Sequence, residues 1–182
     1  EQPNIVGIKK KRISALLNNN ISLLAYHLPL DVHSELGNNV QLAELLGLTI
    51  DGPLEPDART SIGLVGHLNK PHTVKQFSDL LTQKLNRSPQ VITNDESSLI
   101  TRVGWCTGGA QGYIEKAIAE NVDAYVSGEI SEPTVHIARE SGVSYFAAGH
   151  HATERYGVIA LGSKLSEVFG VEHEFIDIDN PV

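Results

Sequence analysis

The chain has 182 residues, 41% hydrophobic and 20% charged, a balance that supports a buried core in one or two domains and argues against disorder. No apolar run approaches the roughly 20 residues needed to cross a bilayer, and the opening E-Q-P-N-I-V-G-I-K-K lacks the order of a signal peptide, so a cytoplasmic protein with no membrane partner is expected. The single cysteine, Cys106, excludes an internal disulfide and a thiolate-rich metal site; the net charge of -8 argues against broad nucleic-acid binding, leaving only a local basic patch such as Lys9 to Arg12.

Apolar spacing at Ile8, Ile13, Leu16 and Leu17 predicts an amphipathic helix, followed by a strand I-S-L-L-A-Y that ends at His27. After the loop L-P-L-D-V-H-S-E-L-G, Asn39 to Leu46 reads as a helix. The stretch D-G-P-L-E-P-D from Asp51 to Asp57 is the richest turn signal and a candidate hinge. A strand is expected from Ser61, then a helix from Thr73 to Leu85 capped near Thr73 or His72, then a short strand from Gln90 to Thr93. From Leu99 the alternation is regular: strand L-I-T-R-V-G-W-C, helix Tyr113 to Glu120, strand D-A-Y-V-S-G-E, helix Glu132 to Glu140, strand V-S-Y-F-A-A-G, and a long helix after His150. The closing V-E-H-E-F-I-D-I-D alternates strictly and predicts a strand with one wet face. The fold class expected is α/β, with mixed, largely parallel sheets flanked by helices in two parts, 1–97 and 98–182.

In open α/β sheets ligands collect at the carboxyl ends of strands, where His27 and Asp31, Cys106 to Gly109, Glu129 and His150 all fall. In G-H-H-A-T-E, His150 and Glu154 stand four residues apart on one helical face, and imidazole with carboxylate suits zinc, iron or manganese. The alternative is two surface histidines and a carboxylate favoured by the helix dipole. Asp31 follows Pro29 and is either a ligand or the cap of a turn, while His33 reads as an exposed loop residue. W-C-T-G-G-A-Q-G is a glycine-rich turn able to present amides to an anion, but it matches neither common nucleotide fingerprint. Cys106 reads as a small buried residue, Glu129 as a candidate general base, and Ser131 with Glu132 as a helix cap.

H-L-P-L-D-V-H-S-E-L-G-N-N, W-C-T-G-G, S-G-E-I-S-E, A-A-G-H-H-A-T-E-R and F-I-D-I-D-N-P together resemble the YbgI-like branch of the dinuclear metal hydrolases known as GTP cyclohydrolase 1 type 2 homologues. The resemblance runs through the whole chain in order. It implies two divalent metal ions in a cleft between two α/β parts, held by Asp31, His150 and Glu154, and subunits assembled as a homohexameric ring. It also implies two adjacent histidines in an H-H-G motif, which this sequence does not contain. Because the sequence starts at Glu1 and has no methionine, that motif is expected in an upstream segment. His27, Glu129 and His151 are expected to line the site and carry protons. The expected activity is opening of a purine-ring C–N bond of GTP by activated water, with a phosphoesterase or a non-catalytic metal-binding ring as the competing readings.

Overall fold

The computed structural model describes residues 4–182. Helices α1 (Gly7–Asn18), α2 (Leu28–Asp31) and α3 (Asn38–Leu46) come first, followed by strands β1 (Leu48–Pro53) and β2 (Leu64–Thr73). Helix α4 (Val74–Leu85) leads to β3 (Gln90–Ile92) and β4 (Leu99–Cys106). After a 3-10 turn at Gln111–Tyr113 come α5 (Ile114–Ala119), β5 (Ala124–Ser127), α6 (Glu132–Ser141), β6 (Ser144–Ala147), α7 (His150–Glu154) and α8 (Tyr156–Phe169). Among the described residues no helix is long and apolar enough to cross a membrane.

The strands form one mixed sheet in the order β1-β2-β4-β5-β6-β3. β4, β5 and β6 run parallel, as the strand-helix alternation predicts, while β1, β2 and β3 pair antiparallel. Every residue of β5 and of β6 is buried, because helices cover both faces. The alternation of side chains along a strand divides the core. Val126 and Phe146 face α3 and α4, where Phe77 meets Phe146 edge-on at 5.0 Å; Tyr125 and Tyr145 face α5 and α6. Helix α4 begins at a reciprocal capping box, in which Thr73 Oγ1 accepts from Gln76 N and Gln76 Oε1 accepts from Thr73 N.

Three expectations are corrected. Ile21–Tyr26 has strand composition but forms no ladder; no described strand lies beside it, and Leu23, Leu24 and Tyr26 are exposed. The closing run also makes no strand, and instead its Asp177 reaches back to His151 and Arg155, with Ile176 and Ile178 exposed. The turn-rich stretch from Asp51 begins inside a strand, since Asp51 sits in a bulge between Ile50 and Gly52, and Gly52 and Pro53 pair with β2. Helix α1 is present as expected but buries none of its residues. The helix after His150 is two helices, α7 and α8, meeting at Arg155.

Candidate functional site

The parallel strands β4, β5 and β6 end side by side, so the loops that leave them are gathered at one edge. Backbone bonds tie the three exits together: Gly128 N donates to Gly108 O at 2.8 Å, Ala148 N to Ser127 O at 2.7 Å, and Gly149 N to Gly128 O at 2.9 Å. Ser127 Oγ adds a bond from Ala110 N and one to Gly108 O. Gly108 has a φ of +70°, and a Cβ there would lie 2.0 Å from Glu154 Oε1, so the loop admits the carboxylate only because the residue is glycine. From α7, Thr153 Oγ1 accepts from Gly108 N at 3.1 Å and fixes the loop against the helix that carries His150 and Glu154.

Asparagines at the start of α3 hold the opposite wall. Asn39 Oδ1 accepts from Thr107 N at 3.0 Å, its Nδ2 donates to Ile62 O and Asp31 O, and its carbonyl accepts from Trp105 Nε1 at 2.9 Å. Asn38 Nδ2 donates to Asp31 Oδ1 at 2.7 Å while Asn38 Oδ1 accepts from Gly157 N at 2.7 Å. Both asparagines are buried, and each has both ends of its amide satisfied.

Between these walls is a cleft of about 300 Å³ lined by His27, Asp31, Thr107, Tyr113, His150 and Glu154 among others. No lysine or arginine is among its lining residues. His150 stands between two carboxylates, with Nδ1 2.7 Å from Glu129 Oε1 and Nε2 2.9 Å from Glu154 Oε2. Burial works against its protonation, but the Glu129 and Glu154 carboxylates outweigh it and hold the imidazole above its ordinary pKa. Glu154 is raised above the usual carboxylate range, first by burial and then by the charge of Asp31 facing it, with His150 pulling the other way. The Cys106 thiol in the same cleft is pushed up to about 12, mainly by burial and then by Asp31 and Glu154. It is no thiolate nucleophile near neutral pH.

The donor set suits a divalent metal. Two carboxylates and an imidazole line one pocket that has no lysine or arginine among its described lining residues, and a bound cation would offset the burial and the Asp31 charge that raise Glu154. Among the described residues, however, no group of three or more His, Cys, Asp or Glu side chains stands at coordinating separation. His150 and Glu154 are bonded to each other, and Asp31 is bonded to Asn38.

Of the residues singled out by sequence, His27, Asp31, His150 and Glu154 share this cleft. Glu129 does not line it; its carboxylate is engaged with Nδ1 of His150 from the adjoining cleft beside Arg87 and Pro181. His151 lies in a third cleft, which it shares with His150 and Glu154, and its Nε2 pairs with Asp177 at 2.8 Å. His33 caps its own loop, accepting from Glu35 N and Leu36 N. The sequence reading missed Asn38, Asn39, Ser127 and Thr153, and took in Thr107 only within the range Cys106 to Gly109. Thr153 carried a usable signal, since it falls three residues after His150 and so near it on the helix. Among the described residues, the buried Thr107 Oγ1 has no hydrogen-bond partner.

The sequence pattern of the family described as Duf34/NIF3 (NGG1p interacting factor 3) matches residues 1–181. A GTP cyclohydrolase 1 type 2 homolog from Pseudomonas aeruginosa is 57% identical over 181 residues, taking in 100% of this chain and 71% of that protein. The homolog of the same name from Vibrio cholerae serotype O1 is 51% identical over 183 residues, taking in 100% of this chain and 72% of that protein. A solved structure described as protein ybgI, of unknown function, superposes with a TM-score of 0.93 at 44% identity, covering 100% of this chain and 72% of the other.

Proposed function

The chain belongs to the Duf34/NIF3 family, and on that premise we propose that its cleft is a two-metal hydrolytic site acting on a purine nucleotide such as GTP. The observation that carries this reading is that Asp31, His150 and Glu154 line one cleft with no lysine or arginine among its described lining residues. These three side chains would hold zinc, iron or manganese, with further ligands from the H-H-G motif that the family resemblance implies. When bound, two such ions lower the pKa of a coordinated water and polarise the bond under attack.

The chain's own residues supply orientation and proton handling. Glu129 engages His150 at Nδ1, so the ring presents Nε2 to the cleft once that nitrogen gives up its proton. In this reading Glu129 holds the ligand rather than serving as the base. His27, which lines the cleft, would move the proton of the attacking water, while His151 pairs with Asp177 and would act from the neighbouring cleft. The Tyr113 ring is the aromatic surface left for the substrate. The choice of GTP, and of a ring C–N bond as the one hydrolysed, follows the name of the homologous proteins. Assembly into a homohexameric ring belongs to the same proposal and follows the family resemblance alone.

The test uses full-length protein assayed for bound metal, for GTP ring opening and for phosphodiester cleavage, beside Asp31→Ala and Glu154→Ala. Ring opening that requires metal and is lost in both variants is the expected result. Cleavage of the phosphodiester alone would make the protein a phosphoesterase, and metal without turnover would make it a binding protein. Activity that survives both substitutions would place catalysis elsewhere.

A further inference from the structure

Asp31 is 5% exposed and Asn38 6%, so the bond between them lies in the protein interior, out of competition with bulk water. The orientation of the Asn38 amide is set by chemistry. Gly157 N–H can only donate, so the amide oxygen must face Gly157 and the NH₂ must face Asp31. The approach is close as well, since a Cβ on Gly157 would lie 2.5 Å from Asn38 Oδ1. Two consecutive elements and a distant one meet here: α2 through Asp31, the first residue of α3 through Asn38, and the second residue of α8 through Gly157. With Oδ1 taken by Asn38, Oδ2 is the Asp31 oxygen without a hydrogen-bond partner among the described residues, on a residue that lines the cleft.

We propose that Asn38 is a positioning residue that fixes Asp31 to offer a single oxygen, Oδ2, to a cation in the cleft, and that Gly157 sets Asn38 in turn. This rests on the two-metal reading of the site and adds to it the outer partner that aims one of its ligands. The bond from a neutral amide to a carboxylate leaves the charge of Asp31 intact while removing its freedom to rotate or to bind through both oxygens. Gly157 carries no group that reaches the cleft, and a Cβ added there meets Asn38 first, at Oδ1 and Cγ, with Leu30 next at 3.2 Å.

The test is calorimetric titration of metal-free, full-length protein with Mn²⁺, together with thermal unfolding in chelator, for Asn38→Ala, Gly157→Ala and Leu81→Ala. Leu81 belongs to the core under α4 and is not a cleft-lining residue, so its truncation reports what lost stability alone does. Asn38→Ala and Gly157→Ala are expected to weaken Mn²⁺ binding on the order of 10-fold to 100-fold. Leu81→Ala is expected to lower the melting temperature and keep the wild-type affinity. Wild-type affinity in both Asn38→Ala and Gly157→Ala overturns the positioning role and leaves the metal site standing. So does an equal loss of affinity in Leu81→Ala. Absence of Mn²⁺ binding by the wild-type protein overturns both.

Discussion

Gly108 and Cys106 show how single residues set the chemistry of the cleft. At Gly108 a left-handed backbone coincides with a space already occupied by the Glu154 carboxylate. Gly108→Ala must carry a side chain at φ +70°, which costs about 1–2 kcal/mol, and must also push Glu154 out of place. Urea unfolding is expected to show a loss of at least about 1 kcal/mol, accompanied by weaker metal binding; unchanged values for both would mean that Glu154 can step aside freely. Cys106 makes a pH-dependent contribution whose sign follows from its raised pKa. The folded protein favours the neutral thiol, so the stabilisation is complete below the ordinary value of 9.0 and is lost as pH rises towards about 12. Cys106→Ala should therefore flatten part of the alkaline decline in stability. Because the chain has one cysteine, iodoacetamide labelling at pH 8 should be slow in the native protein and reach one group per chain in urea. Fast native labelling would contradict the buried, neutral thiol.

Helix α4 displays the local rules most openly. Its capping box satisfies two backbone amides at the N-terminus, so Thr73→Ala should cost about 1 kcal/mol and lower the melting temperature by roughly 2–4 °C. A melting temperature unchanged to within a degree would mean that solvent replaces the cap without loss. This helix was readable because its cap and its apolar stripe both lie within its own residues. Strands β4, β5 and β6 were readable for a related reason, as short apolar runs separated by helices announce a buried parallel sheet. β1 was not, because Gly52 and Pro53 have turn composition and are held in the strand by β2 rather than by their own preference. Conversely, Ile21–Tyr26 and the closing run have strand composition, yet a strand exists only where a neighbour completes its hydrogen bonds. The site divides the same way. Asp31, His150 and Glu154 stand out because imidazole and carboxylate are chemically distinctive at any position. Asn38 does not, because its partner Gly157 is 119 positions away and no periodicity links them.

At the scale of the whole molecule, the sheet decides how independent the two halves of the chain can be. The boundary at 97 and 98 falls between β3 and β4, which belong to the same sheet. β4 pairs on one side with β2, from the first half, and on the other with β5, from the second; β6 likewise lies between β5 and β3. If residues 98–182 came apart from 1–97, β4 and β6 would each lose a ladder partner and α3 and α4 would leave one face of the sheet bare. The separated half would expose backbone groups and apolar surface together, so partial unfolding is disfavoured relative to unfolding of the whole. Trp105, the single tryptophan, is 0% exposed in β4 and donates to Asn39 O across the boundary, so its fluorescence reports the union of the halves. Urea unfolding followed by Trp105 fluorescence and by circular dichroism at about 222 nm is expected to give one midpoint, at a fixed protein concentration. Two separated midpoints would mean that the halves retain their own stability and that the cleft between α3 and α7 can open without loss of the fold. A single midpoint ties the cleft's geometry to the integrity of the sheet, so that Asp31 on one wall and His150 and Glu154 on the other keep their separation for as long as the protein is folded.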